Sequence, residues 1–448
     1  MSNTWQKAYS ELKEYIAGNP KVEIGKDVIA IPGDNRKEFY AMFDRIREAF
    51  IRDFFFDGLS DSEELSREFK AVAQEVTSSL GVEGEVELNP KLKWLIDNPL
   101  NGLIRPLYDP LFDLLKGKID EETFMEKGFM EVQSALTDLY HKGYDRWIIL
   151  TLVKWLEPSS LLCVPQKEPN AINCLTELYK QGERIEPVPN IKKASRLSFE
   201  PGTWDTFIVP DLIIYSNRLN KYVGLRTSLP TNTDEPYLTA KQITSKREWL
   251  PFSELKHRFI LTNPWPNILV YIDENPKNIK LIADFKYMLR PDLVVNTMPE
   301  DNWFNLSTID WIKSHNEHLK PFTGTVVLCR RDAPEDAFKA LEPVAVQLAP
   351  EEAQNEVLAE SAEMPEGDID IFPVTAAQDQ PETPATQVTG EQEAMETGKP
   401  EEVETAPTRP VIRLISAGFD QNLVAKALEV FIPPDSDDTE PARVISGR

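Results

Sequence analysis

A strongly acidic stretch near the C-terminus limits how much of this chain can fold. Between Glu351 and Thr408 the sequence has 16 acidic residues and one basic residue, with many Pro, Thr, Ala and Gln residues. Such a segment cannot bury enough apolar surface to offset the entropy that ordering costs. We therefore predict that residues 341–408 are a disordered acidic linker and that most of the 448-residue chain folds before it.

The same stretch carries more than half of the net charge of −25 at pH 7. The remaining chain is only mildly acidic, so its overall charge does not identify a partner. Within the stretch, Ile369, Ile371 and Phe372 form a small apolar island among acidic residues. Acidic segments with such islands often bind protein partners as linear motifs. The island predicts that the tail binds a protein partner, and chance composition is the alternative interpretation.

The first 160 residues have the apolar spacing of helices. One example is a stripe at helical spacing that follows Asp34: Phe39, Met42, Phe43, Ile46 and Phe50. A further helical pattern runs from Glu121 to Leu156, with expected interruptions near Gly128 and Gly143. These patterns predict a mainly helical region over residues 1–160, with the apolar stripes in its core.

Residues 161–340 have a different sequence pattern. Short β-rich runs such as "DLIIY", "KYVGL", "NILVYI", "KLIADF", "DLVVN" and "TGTVVLC" are separated by Asn, Pro and Gly. Helical patterns lie between them at residues 170–181, 239–256 and 306–315. This mixture predicts an α+β or α/β fold, with a central mixed α/β domain packed against the helical N-terminal region.

The C-terminal segment has a weaker pattern. Residues 410–433 read as two short helices divided at Gly418 and Phe419, followed by a disordered end over 435–448. Because a lone two-helix fragment is marginal in water, we expect residues 409–434 to dock on the main body or on a partner.

Composition excludes several other classes of protein. The cysteines Cys163, Cys174 and Cys329 have no zinc or redox spacing, which favours a reducing, cytoplasmic location. The N-terminus lacks the apolar core of a signal peptide, and the longest apolar run, residues 147–156, is too short to span a membrane. The chain has only 19 Gly and no phosphate-binding glycine loop, so we expect neither a membrane partner nor a nucleotide cofactor.

A repeated phrase marks the β-rich part. "PDLIIYSNRLNKYVGLRTSL" begins at Pro210, "PNILVYIDENPKNIKLIADFK" begins at Pro266, and a third start, "PDLVVN", begins at Pro291. The first two read as a strand, a polar turn and a second strand, and Pro at a strand start removes no ladder donor. We predict two hairpins of similar design, although many unrelated hairpins share this appearance.

The second copy resembles the PD-(D/E)xK nuclease superfamily, in which one strand opens with Pro-Asp and the next carries acid-x-Lys. The matching residues here are Asn267, followed by Asp284 and Lys286, and the resemblance covers about residues 205–300. It implies a Mg²⁺-dependent phosphodiesterase site in which Asp284 binds the metal and Lys286 orients the attacking water. Asp211 or Asp292 would supply the second acid, and Asn267 would be a weaker ligand.

The chain departs from that pattern in both copies. Asn267 replaces the first acid of the second copy, and the first copy keeps Asp211 but has Gly224-Leu225-Arg226 in place of acid-x-Lys. Our leading hypothesis is a nuclease-like protein that hydrolyses or binds DNA. The alternatives are a nuclease fold that has lost activity and a non-enzymatic interaction or scaffold protein.

A basic stretch with aromatic residues could contact nucleic acid. Phosphate contacts come from such positive patches, and aromatic rings can stack on bases. A solvated helix face is the alternative reading of the same pattern. The basic residues of this predicted DNA-binding patch are Lys241, Lys246, Arg247, Lys256 and Arg258.

Overall fold

The computed structural model of the chain describes residues 4–26, 29–163, 192–199, 210, 212–226, 249–251, 267–276, 282–284, 287–299, 306–341 and 412–432. Residues 1–347 and 410–448 belong to one compact unit, and residues 348–409 to a second one. The second unit lies outside the described residues. Residues 341–408 and 435–448, which are predicted to be disordered, also lie outside the described residues, with the exception of Leu341.

The N-terminal region is helical, as predicted. Its helices are α1 (Thr4–Gly18), α2 (Gly33–Phe54), α3 (Phe56–Leu80), α4 (Pro90–Asp97), α5 (Pro99–Leu103), α6 (Tyr108–Leu115) and α7 (Glu121–Trp155). A short pair of strands, β1 (Glu23–Ile24) and β2 (Ile29–Ala30), connects the first two helices. The Asp120 carboxylate accepts a hydrogen bond of 2.8 Å from the Thr123 amide and so caps α7.

The predicted interruptions of α7 are absent, because this helix continues through Gly128 and Gly143. Both glycines lie where another element approaches closely. A Cβ atom at Gly143 would lie 2.7 Å from Leu65 Cδ2, and one at Gly128 would lie 2.9 Å from Leu107 Cδ2. These glycines therefore permit close helix packing and do not end the helix.

A mixed eight-stranded sheet forms the centre of the second half. Its strands are β3 (Pro158–Cys163), β4 (Lys192–Lys193), β5 (Leu212–Ser216), β6 (Lys221–Arg226), β8 (Ile268–Asp273), β11 (Leu293–Met298), β12 (Gly324–Cys329) and β13 (Ile412–Ser416). They are arranged in the order β13-β12-β11-β8-β6-β5-β3-β4. Neighbouring strands pair antiparallel along β4-β3-β5-β6-β8-β11. The pairs β11–β12 and β12–β13 are parallel.

Helices cover both faces of this sheet. One face, with Val270, Val295 and Val326, belongs to the same apolar core as α3 and α7. The other face, with Met298 and Val327, packs against α8 (Leu306–Leu319) and α9 (Glu335–Leu341). The prediction of helices combined with a mixed sheet is confirmed.

The two predicted hairpins have different outcomes. The first is correct, because β5 pairs antiparallel with β6 from Leu212–Leu225 to Ser216–Lys221. The second is wrong, because β8 pairs with β6 and β11 and not with the "LIADF" strand. That strand is β9 (Ile282–Asp284), which joins β10 (Tyr287–Leu289) and β7 (Trp249–Pro251) in a separate three-stranded sheet.

Two helix predictions are also corrected. Trp249–Pro251 is a strand, so the predicted helix over 239–256 does not include these residues, and its other positions are not described. The C-terminal segment consists of β13 and one helix, α10 (Gln421–Phe431), instead of two helices. Its docking on the main body is confirmed by the pairing of β13 with β12. Among the described residues, no helix has the length and apolar character needed to cross a membrane.

Candidate functional site

Asn267, the residue that follows proline in the second phrase, lies at the start of β8 and bridges to β11. The Thr297 amide donates a hydrogen bond of 3.0 Å to Asn267 Oδ1. The register pairs Ile268 with Val295, so Asn267 extends the strand pair beyond its last backbone partner. Its side-chain oxygen therefore replaces a missing ladder acceptor.

An acid from α7 completes this end of the sheet. Asn267 Nδ2 donates a hydrogen bond of 3.1 Å to Asp145 Oδ2, and the Thr297 hydroxyl donates to Asp145 Oδ1. We call Asp145, Asn267 and Thr297 the sheet-end cluster. It joins three elements, and both carboxylate oxygens of Asp145 accept hydrogen bonds from neighbouring side chains.

Burial dominates the electrostatics of this cluster. It raises the pKa of Asp145, while the hydrogen bonds from Thr297 and Asn267 act in the opposite direction. Thr297 is only 1% exposed. The cluster thus combines one carboxylate, one amide and one hydroxyl in a place with little solvent.

Asp292, the residue that follows proline in the third phrase, lies at the other end of the same strand pair. Its carboxylate accepts a hydrogen bond from the Ile272 amide, and its own amide donates to the Val270 carbonyl at 2.8 Å. Its carbonyl oxygen accepts from the Thr323 amide at 2.9 Å. Asp292 therefore fixes the chain where β11 begins.

The structure does not bring Asn267 and Asp292 together. Ile272, which Asp292 contacts, is five residues beyond Asn267 on β8, and a strand rises about 3.3 Å per residue, so about 16 Å separates the two ends. The two residues play reciprocal parts. Each begins one strand of the antiparallel pair, and each accepts the amide hydrogen of a residue near the end of the other strand.

Of the other predicted site residues, Asp284 is described, and it does not belong to this sheet. Asp284 ends β9, whose backbone pairs with Tyr287 in the three-stranded sheet. The strands beside β8 are instead β6, which reads Lys-Tyr-Val-Gly-Leu-Arg, and β11, which reads Leu-Val-Val-Asn-Thr-Met. Neither has acid-x-Lys. Lys286, Asp211 and the predicted DNA-binding residues Lys241, Lys246, Arg247, Lys256 and Arg258 lie outside the described residues. Within the described ranges, no three His, Cys, Asp or Glu side chains form a group that could hold a metal ion.

A second polar group lies on the opposite face of the sheet. The His315 imidazole Nδ1 lies 3.3 Å from Asn296 Oδ1, and the Thr325 hydroxyl donates to Asn316 Oδ1 at 2.8 Å. All four side chains are buried. They attach α8 to β11 and β12.

Asp145 is the residue of this region that the sequence reading missed. It stands in "HKGYDRWIILTLV", an acid at the start of the most apolar part of α7. An acid in such a run is a signal for a buried polar contact. The sequence does not indicate that its partners come from β8 and β11. Comparisons with models of known protein families, with curated protein sequences and with solved structures gave no match for this chain.

Proposed function

We propose that this chain is a non-enzymatic interaction protein, built on a nuclease-like sheet whose metal site is replaced by hydrogen bonds. The observation that carries the proposal is that both carboxylate oxygens of Asp145 are hydrogen-bonded to side chains of the protein. Both of its oxygens accept from Asn267 and Thr297, and the Asn267 oxygen accepts from a backbone amide. A Mg²⁺ site needs free oxygen ligands, usually with one or two carboxylates.

The residue types of β11 support the same proposal. The resemblance to nucleases implies an acid and a lysine on the strand beside Asn267, and β11 has Asn296 and Thr297 there. On this proposal, the folded unit presents surfaces to protein partners and the acidic tail supplies a further binding segment.

Plasmid nicking with Mg²⁺ or Mn²⁺ tests the proposal. We expect the wild type, Asp145→Asn and Asp284→Ala to leave the plasmid at the same background level. Asp292→Asn is a matched control, because it changes a carboxylate at the other end of the same strand pair. Metal-dependent nicking that is lost in Asp145→Asn or Asp284→Ala, but kept in Asp292→Asn, would establish catalysis and overturn the proposal.

A second experiment tests the proposed interaction with a protein partner. Full-length protein purified from its source cells should retain a stoichiometric protein partner. A chain that lacks residues 348–409 should lose this partner while keeping its melting temperature. Retention of the same partner by the shortened chain would place the contact elsewhere and contradict the role of the tail.

A further inference from the structure

The edge of the eight-stranded sheet is completed by a segment from far along the chain. β13 pairs parallel with β12 over five residues, from Thr325–Ile412 to Cys329–Ser416. Between the end of α9 at Leu341 and the start of β13, the sequence has the 70 residues 342–411. We call residues 412–432 the closing segment, and the surface that receives it the β12 groove.

A turn with an aromatic anchor follows β13. The amides of Ala417 and Gly418 donate to the Cys329 carbonyl at 2.8 and 3.0 Å. The Tyr144 hydroxyl donates to the Gly418 carbonyl at 3.1 Å. Gly418 has φ of +55°, a conformation that favours glycine, so the turn is specified by the segment's own sequence.

Phe419 is the anchor of this turn. Its ring centroid lies 5.0 Å from that of Trp147 and 5.6 Å from that of Tyr144, both in edge-to-face geometry. The Arg330 guanidinium lies 5.4 Å from the Phe419 ring centroid. Aromatic pairs of this kind contribute binding free energy beyond that of the area they bury. We therefore expect Phe419 to supply a large part of the binding free energy of the segment.

α10 adds an apolar stripe and a polar rim. Val424, Ala427 and Leu428 are buried in the same core as α7. At the rim, Lys154 Nζ donates to Gln421 Oε1 at 2.8 Å, and Arg218 pairs with Glu429. The closing segment therefore has the parts of a specific ligand, namely a pairing strand, an aromatic anchor and an amphipathic helix.

The covalent connection places little restriction on which copy receives the segment. A chain of 70 residues can span up to about 230 Å when extended, which exceeds the diameter of a folded unit of this size several times. The contacts of the segment are with β12, Arg330 just after it, α7 and Arg218 between β5 and β6, and they would be the same in another copy. A long tether also gives only a moderate effective concentration for closure within one chain.

From these contacts we infer that the β12 groove is an exchangeable binding site, and that its second occupant is the closing segment of another copy of this chain. Closure within one chain dominates in dilute solution. Reciprocal exchange, in which two copies swap closing segments, becomes populated as the concentration rises. The inference does not depend on the presence or absence of catalysis.

Peptide binding to the full chain tests this inference. The probe is a fluorescent synthetic peptide of residues 410–433, measured by anisotropy. We expect it to bind the full-length Phe419→Ala variant at least tenfold more tightly than the wild type, because the variant's own segment competes less. The peptide with Phe419→Ala should bind neither protein, and full-length Lys426→Ala, altered on the exposed side of α10, should behave as the wild type.

Sedimentation provides the second measurement. The wild type should form a dimer, and the dimer fraction should increase with protein concentration up to about 100 µM. Phe419→Ala should reduce that fraction. A folded Phe419→Ala variant that binds no peptide, together with a wild type that stays monomeric, would overturn the inference.

If Phe419→Ala does not fold, the wild type with a protease site inserted in residues 370–380 replaces it. After cleavage, the labelled peptide should displace the native closing segment from the purified complex. Failure of the label to enter the complex would overturn the inference, because the groove would then not accept a segment supplied from outside.

Discussion

Asn267 and Asp292 make the same contact at opposite ends of the β8–β11 pair, but their surroundings differ. Each follows a proline, begins a strand and accepts the amide hydrogen of the neighbouring strand. Only Asn267 also contacts a carboxylate, Asp145, from the helix layer. The comparison indicates that an acid or amide after proline can cap a strand pair, and that this role alone accounts for part of the repeated phrase.

The largest effect is expected from Asp145→Ala. It removes the acceptor for the Asn267 amide and the Thr297 hydroxyl, and buried groups left without partners are costly. We expect the free energy of unfolding to fall by about 3 kcal/mol, measured by urea denaturation. Asp145→Asn, which keeps an acceptor oxygen, should lose less than half as much. Equal losses would show that the carboxylate charge, and not hydrogen bonding, holds this end.

Asn267→Asp would make the two ends alike and place a second carboxylate beside Asp145. Repulsion should lower the free energy of unfolding by about 2 kcal/mol at neutral pH. The loss should shrink as the pH falls, because the pair can then share a proton. Urea unfolding at several pH values measures both effects. A variant as stable as the wild type at pH 7 would contradict the described contact, and Mg²⁺-dependent stabilisation would show that this end can accept a metal.

Asp292→Ala should have a smaller effect, since it removes one acceptor from a half-buried site. We expect a loss of about 1.5 kcal/mol in the free energy of unfolding. Asp292→Asn should be nearly neutral, because Asn267 performs the same capping with an amide oxygen. A loss for Asp292→Asn as large as for Asp292→Ala would break the equivalence of the two ends.

The smallest effect concerns pH. Burial raises the pKa of Asp145 above its ordinary value of 3.8, so the folded state binds this proton more tightly than the unfolded chain. The resulting stability is present below the ordinary pKa and is lost as the pH rises through the raised folded value. The free energy of unfolding of the wild type, relative to that of Asp145→Asn, should therefore fall as the pH rises from the ordinary pKa to the raised one. Parallel pH profiles for the two proteins would contradict the raised pKa.

Local signals in the sequence predicted much of the fold. The β5–β6 hairpin was predictable because four residues, Asn217 to Asn220, join its strands, and α8 was predictable from its apolar spacing. The partner of β8 was not, because β9 follows it in the sequence whereas β11 pairs with it. Strand pairing depends on the whole sheet, and short apolar runs do not specify their neighbours.

The candidate site was harder to predict for the same reason. Asn267 and Asp292 were both identified from the sequence, but their separation depends on the antiparallel register. Asp145 lies 122 residues before Asn267, and no local pattern connects them. The strand at Ile412–Ser416 was mistaken for a helix because a five-residue run with three apolar residues fits either structure until its partner is known.

The late position of β13 has a consequence for synthesis of the protein. When the ribosome has completed β12, about 100 residues remain before the closing segment is complete, which takes about 5–20 s at ordinary translation rates. During that interval β12 is an open strand edge and Trp147 lacks its ring contact with Phe419. Exposed edges of this kind recruit other strands. Nascent chains on one polysome would present such edges near each other. The proposed exchange of closing segments can therefore begin before either copy is released.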